Sequence, residues 1–80
     1  MDPTTLQKMA EKNGWSLITT KNARLISFAI KNEKLKRIRL NIYYTTGTVG
    51  ICKPNQQEIY IRKQSKDDIE RLFQSIAEGI

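Results

Sequence analysis

The feature that most constrains this chain is an alternation of period two. It starts at Trp15 and continues, interrupted only by turn residues, to Lys63. Successive side chains of a strand point to opposite faces, so this period marks a sheet with one buried face. Its longest piece lies in KLKRIRLNIYYTTGTVG, residues 34–50. There Ile38, Leu40, Ile42 and Tyr44 form one set, and Arg37, Arg39, Asn41 and Tyr43 form the other. The first set is what a core requires. The second is either solvent decoration or a surface built to hold something.

The spacing predicts strands over 15–19, 24–31, 36–45, 48–52 and 58–63. The turns between them fall at Thr20-Lys21-Asn22, Asn32-Glu33-Lys34, Thr46-Gly47 and Lys53-Pro54-Asn55. Links this short join neighbouring antiparallel strands, so the sheet reads as a meander of four or five strands. Helical signals flank it. Asp2 followed by Pro3 reads as an N-cap with proline in the first helical position, Leu6, Met9 and Ala10 recur at helical spacing, and Asn13-Gly14 is a stop. At the other end Ser65 and Asp68 have capping-box spacing. Ile69, Leu72, Phe73, Ile76, Ala77 and Ile80 then trace one apolar stripe.

That stripe must be buried against Ile26, Phe28, Ile30, Ile38, Leu40, Ile42, Tyr44, Val49, Ile51, Ile59 and Ile61 on the inward sheet face. Two helices cover one face, and nothing remains to cover the other, which an antiparallel sheet tolerates. The expected fold is two-layer α+β in a single domain, 1–80. It has a short N-terminal helix, the antiparallel meander, and a C-terminal amphipathic helix packed on one sheet face. A chain of 80 residues has room for one small core.

Charge is segregated along the chain. The net +6 comes from its middle, where residues 21–63 carry ten basic side chains against Glu33 and Glu58. The segments on either side are neutral or acidic. A basic strand region is the usual footprint of a polyanion binder. Cys52 is the only cysteine, which excludes an intrachain disulfide and fits a reducing compartment. The polar N-terminus reads as neither signal nor transit peptide, and no apolar run approaches the ~18 residues of a membrane span. The expectation is an intracellular protein of cytoplasm or nucleus that does not use a membrane.

Alternate positions assign to the open face Ser27 and Lys31, then Arg37, Arg39, Asn41 and Tyr43, then Thr48 and Gly50, and finally Tyr60 and Arg62. Glu58 is its one carboxylate. Arginine offers a planar donor fork for phosphate, and an exposed tyrosine offers a flat surface for an unstacked base. Lys36, Lys53 and Lys63, near strand ends, extend the positive field to the rims, with Lys34 beside them. The expected nucleic-acid contacts are therefore Lys31, Lys36, Arg37, Arg39, Asn41, Tyr43, Lys53, Tyr60, Arg62 and Lys63, with a single strand favoured over duplex.

Two plainer readings compete. Lysine and arginine on exposed strands discourage edge aggregation. The same Tyr and Arg residues would also anchor a protein partner or a second copy of the chain, since both types dominate interface hot spots. Docking on an anionic membrane is a weaker third option. Trp15, just after the first helix, reads as core rather than as a stacking platform. Cys52 reads as inert.

The stretch Thr45-Thr46-Gly47-Thr48-Val49-Gly50 lacks the spacing and the lysine of a P-loop, so it reads as a hairpin turn whose amides and hydroxyls can touch phosphate. The absence of histidine removes the usual zinc sets and nucleophile–base pairs. The expectation is a binding module rather than an enzyme, with no cofactor and no metal. In element order alone the layout resembles Whirly-type and transcriptional-coactivator sheets, in which a curved antiparallel sheet precedes a helix. That resemblance implies single-strand binding and carries over no residues.

Overall fold

The computed structural model describes residues 2–18, 24–31 and 37–78. Along the chain lie α1 (Pro3–Lys12), β1 (Ser16–Ile18), β2 (Leu25–Lys31), β3 (Arg37–Tyr43), β4 (Thr48–Cys52), β5 (Ile59–Ile61) and α2 (Lys66–Glu78). The five strands form one antiparallel sheet in the order β1-β2-β3-β4-β5, so the expected meander and α+β class are what the chain adopts. The expected turns at 20–22 and 32–34, and the stripe position Ile80, lie outside the described residues.

Local chemistry accounts for the helix ends. Asp2 is extended at the N-cap of α1, and its carboxylate takes the Thr5 hydroxyl at 3.2 Å rather than a backbone N–H. Beyond Asn13 the chain turns through Gly14 at φ +84°, and the Trp15 N–H returns to the Ala10 carbonyl at 2.9 Å. This reversal aims Trp15 inward. At α2 the capping box forms in both directions: the Ser65 N–H donates to Asp68 Oδ2 at 2.9 Å, and the Asp68 N–H donates to Ser65 Oγ at 3.2 Å. The Ser65 backbone N–H, with its hydroxyl, holds the Asp68 carboxyl below its ordinary pKa.

Both helices pack on the same sheet face. Leu6 and Ala10 of α1, Ile69 and Phe73 of α2, and Phe28, Leu40, Ile42 and Val49 of the sheet are sealed from solvent in one cluster. Phe73 is its hub. Its ring meets Trp15 at 5.4 Å in a tilted contact and Phe28 at 5.4 Å edge-on, both within the preferred geometries of aromatic pairs. The buried Trp15 indole N–H donates to the Phe73 carbonyl at 3.1 Å, so tryptophan enters the core with its one polar atom satisfied.

β3 and β5 end earlier than the alternation predicts, for local reasons. β3 stops at Tyr43 because that carbonyl receives the N–H groups of Thr46 and Gly47, which pulls Tyr44 into the turn. β5 stops at Ile61 because Lys63 turns to φ +57° and Gln64 bonds back to the hairpin, its N–H donating to the Gly47 carbonyl at 2.9 Å. Ile59 corrects an expectation. Its register with Ile51 puts it on the helix-facing side, yet it is 53% exposed. An edge strand has a neighbour on one side only, and the sealed core lies under β2–β4. Leu17 on the opposite edge strand is also exposed. No helix among the described residues is long and apolar enough to cross a membrane.

Phe73→Ala removes the hub, and truncations of this kind cost about 3–5 kcal/mol. That is a large share of the ~4–12 kcal/mol expected of a chain this size. The variant's urea midpoint by circular dichroism is expected to fall steeply. Trp15→Phe keeps the ring packing and loses one hydrogen bond, so its urea midpoint is expected to fall without loss of fold.

Candidate functional site

The uncovered sheet face is read off the register. One row runs Ile18, Ser27, Asn41, Gly50, Tyr60; the next runs Ser16, Ala29, Arg39, Cys52; a third holds Leu25, Tyr43 and Thr48; and Lys31 stands opposite Arg37. The face is therefore divided. Apart from Lys31 at its end, its β1–β2 half carries small and apolar residues, with Ile18, Leu25 and Ala29 half-buried, whereas its β3–β5 half carries most of the polar and cationic ones.

The polar half is a connected network rather than a set of independent side chains. Ser27 Oγ donates to Asn41 Oδ1 at 2.8 Å, and Arg39 Nε donates to the same oxygen at 2.9 Å. Asn41 Nδ2 donates to Glu58 Oε1 at 2.7 Å, and the Cys52 thiol donates to that oxygen at 2.9 Å. The Tyr60 hydroxyl donates to Glu58 Oε2 in a short contact. Glu58 is thus the acceptor that gathers donors from β3, β4 and β5. Ser27 is sealed from solvent even though its side of the sheet carries no helix, because Asn41 and Arg39 close over it.

Gly50 makes this closure possible. A Cβ there would stand 2.8 Å from Glu58 Oε1 and 3.2 Å from Tyr60 Cε1, so Glu58 and Tyr60 occupy the space a side chain would take. A tyrosine leaning over a cross-strand glycine covers backbone that would otherwise be bare. More than half of Tyr60 nonetheless stays exposed.

Titration follows from these contacts. Burial, followed by the Glu58 hydrogen bond, pushes the Cys52 thiol up to about 11, which makes it a poor nucleophile. Accepting from Cys52 and Tyr60 holds the Glu58 carboxyl below its ordinary value, and donating to Glu58 pushes the Tyr60 phenol up to about 12. Glu58 therefore contributes stability that is present above its unfolded value of 4.5 and is lost as pH falls through the lower folded value. Tyr60 contributes stability that is present below its unfolded value of 10.0 and is lost as pH rises through about 12.

The structure brings together some of the expected contact residues and separates others. Arg39, Asn41 and Tyr60 share the network. Arg37 is exposed at one end of the face, where Lys31 pairs with it in register and Lys53 follows β4. Arg62 and Lys63 are exposed at the opposite end, beyond β5. Tyr43 is half-buried between Leu25 and Thr48, which leaves Tyr60 as the more accessible ring. Lys36 lies outside the described residues. Sequence reading did not single out Glu58 as the organising group, nor Cys52 as its partner and Ser27 as the partner of Asn41. The available signal was a lone carboxylate in an otherwise cationic alternation. Among the described residues, no group of three or more His, Cys, Asp or Glu is placed to hold a metal ion.

No family model, curated protein or solved structure matches this chain. Its reading therefore rests on the geometry of this face.

Gly50→Ala is expected to keep the fold, because no positive φ is needed there, but to push Glu58 and Tyr60 apart. Ultraviolet titration of the phenols should then show the highest of them moving from about 12 back toward 10. Glu58→Gln should do the same. It should also speed thiol modification of Cys52 at pH 8, since each unit by which the thiol pKa falls raises the thiolate present about tenfold. A phenol titration unchanged in both variants would mean that the Tyr60–Glu58 contact does not persist in solution.

Proposed function

We propose that the β3–β5 half of the open face binds single-stranded nucleic acid and that the chain is a binding module without catalysis. The observation that carries this reading is Tyr60. It is 53% exposed, its hydroxyl is tied to Glu58, and Arg62 lines the same concavity. An aromatic ring held in place loses little freedom when a base stacks on it, and stacking of this kind tolerates any base.

The charge layout supports the same reading. Arg37 and Lys53 stand at one end of the face, and Arg62 and Lys63 stand at the other. Glu58, the only carboxylate on the face among the described residues, sits between them with its oxygens already accepting hydrogen bonds. A strand crossing the face would place bases over the hydrogen-bonded centre and phosphates at the cationic ends. Arg39 also keeps guanidinium surface exposed while it is steered by Asn41. The cations provide salt-sensitive attraction, and the tyrosine provides preference for unpaired bases.

The second reading is a protein interface on this face, for a second copy or a larger partner. It is favoured by edge strand β5, which exposes Tyr60 on this face and Ile59 on the helix-facing side. An exposed edge carrying apolar surface is a template for association.

Fluorescence anisotropy with labelled single-stranded RNA, single-stranded DNA and duplex DNA separates the two. Single strands are expected to bind more tightly than duplex, with affinity falling linearly in log salt. Tyr60→Ala should weaken binding roughly tenfold with the fold retained, while Arg71→Gln on α2 should not. No binding at low salt, together with a concentration-dependent dimer in sedimentation, would replace this proposal with the protein-interface reading.

A further inference from the structure

The β3–β4 hairpin and the strand beside it form a feature that the open face does not account for. Thr46, Thr48, Tyr60 and Arg62 line a concavity of about 390 Å³. That size falls within the ~300–1,000 Å³ of small-ligand sites. Its lining comes from two separate segments of chain, and the structure locks them together. The Gln64 N–H donates to the Gly47 carbonyl at 2.9 Å, fixing the hairpin turn to the β5–α2 link. Gly47 has φ +76°, and a Cβ there would stand 2.8 Å from the Gln64 carbonyl oxygen, so only glycine permits this approach.

The chemistry of the lining suits one kind of ligand. The Thr46 hydroxyl faces both the Tyr43 carbonyl at 3.4 Å and Thr48 Oγ1 at 3.3 Å, so its one proton is engaged within the hairpin, while the Thr48 hydroxyl proton is left available. The Arg62 side chain has no hydrogen-bond or ion-pair partner among the described residues, although its own backbone carbonyl takes the Gln64 side-chain amide. Tyr60 has committed its hydroxyl to Glu58, so it offers the cavity ring surface rather than a donor. A guanidinium and one free threonine hydroxyl beside an aromatic ring, with no carboxylate in the lining, match a phosphate group carried next to a flat base.

We propose that this concavity is a nucleotide subsite, with Arg62 and Thr48 holding a phosphate, Thr46 orienting the Thr48 hydroxyl, and Tyr60 stacking the base of the same unit. It rests on the single-strand reading of the open face and deepens it by naming where one nucleotide is seated. The hairpin that the sequence showed not to be a P-loop then contacts phosphate through the Thr48 hydroxyl and a neighbouring arginine, with no lysine and no following helix.

The test is a two-dimensional amide NMR titration with adenosine 5′-monophosphate, adenosine and inorganic phosphate. Wild type is compared with Arg62→Gln and with Thr46→Val/Thr48→Val, the spectra themselves reporting whether each variant is folded. The monophosphate is expected to shift the amides of Thr46, Gly47, Thr48, Tyr60 and Arg62. It should bind roughly tenfold more tightly than adenosine, and Arg62→Gln should remove that difference. Equal binding of adenosine and monophosphate, or shifts elsewhere on the protein, would overturn the subsite. Inorganic phosphate binding as tightly as the monophosphate would overturn the nucleotide assignment.

A single-stranded oligonucleotide in the same experiment keeps the two proposals apart. Oligonucleotide binding that is unchanged in both variants overturns the subsite and leaves the face reading standing. Monophosphate bound at the subsite by a protein that ignores the oligonucleotide supports the subsite and overturns the face reading.

Discussion

The contact on which the rest of this structure depends is the meeting of Trp15, Phe73 and Phe28. It joins three pieces of chain that are far apart in sequence: the reversal after α1, the centre of α2 and the second strand. Because the indole also bonds the Phe73 carbonyl, the contact fixes orientation as well as proximity. Non-directional burial would hold α2 on the sheet, and the hydrogen bond fixes how far along the sheet it lies. With both helices committed to one face of a small domain, the other face is left to water. The uncovered surface is thus a consequence of how the core is built.

On that surface, order comes from a different source. Away from the core, polar side chains of a sheet are ordinarily mobile and separately solvated. Here Glu58 gathers donors from Asn41, Cys52 and Tyr60, and the missing side chain of Gly50 gives it room to do so. Hydrogen bonds to a charged group are stronger than neutral ones, which suits a carboxylate for holding three strands' side chains at a half-buried site. The arrangement also explains how a basic face tolerates an acid at its centre. The charge there is shared among donors, and the flanking cations stay turned to solvent.

How much of this was legible in the sequence varies with the range of the interaction concerned. The α2 stripe and its Ser65–Asp68 capping box could be read directly, because both depend on residues three or four apart. The meander followed from links too short for any crossover. The ends of β3 and β5 were overextended because the alternation continues past the point where backbone bonds at Tyr43 and Gly47 redirect the chain. Ile59 was assigned to the core by its parity and lies exposed, since parity reports which face a residue is on and not whether anything covers it there. The Glu58 network was invisible for a similar reason. Asn41 and Glu58 are seventeen residues apart, and their contact exists only once β3, β4 and β5 are in register.

By itself, then, the sequence determined the α+β class, the inward-facing set of β2–β4, the site of Trp15 in the core and the concentration of cations in the strands. All of these rest on period, local capping and composition, which a linear chain displays openly. Only the tertiary structure decided that Tyr60 rather than Tyr43 is the accessible ring, that Glu58 organises the polar half of the face, and that Arg62 meets the Thr46–Thr48 hairpin. Each of those outcomes depends on cross-strand register and on the space left by Gly50 and Gly47. Such contacts between distant residues are set by the packing of the whole chain, which no local pattern encodes.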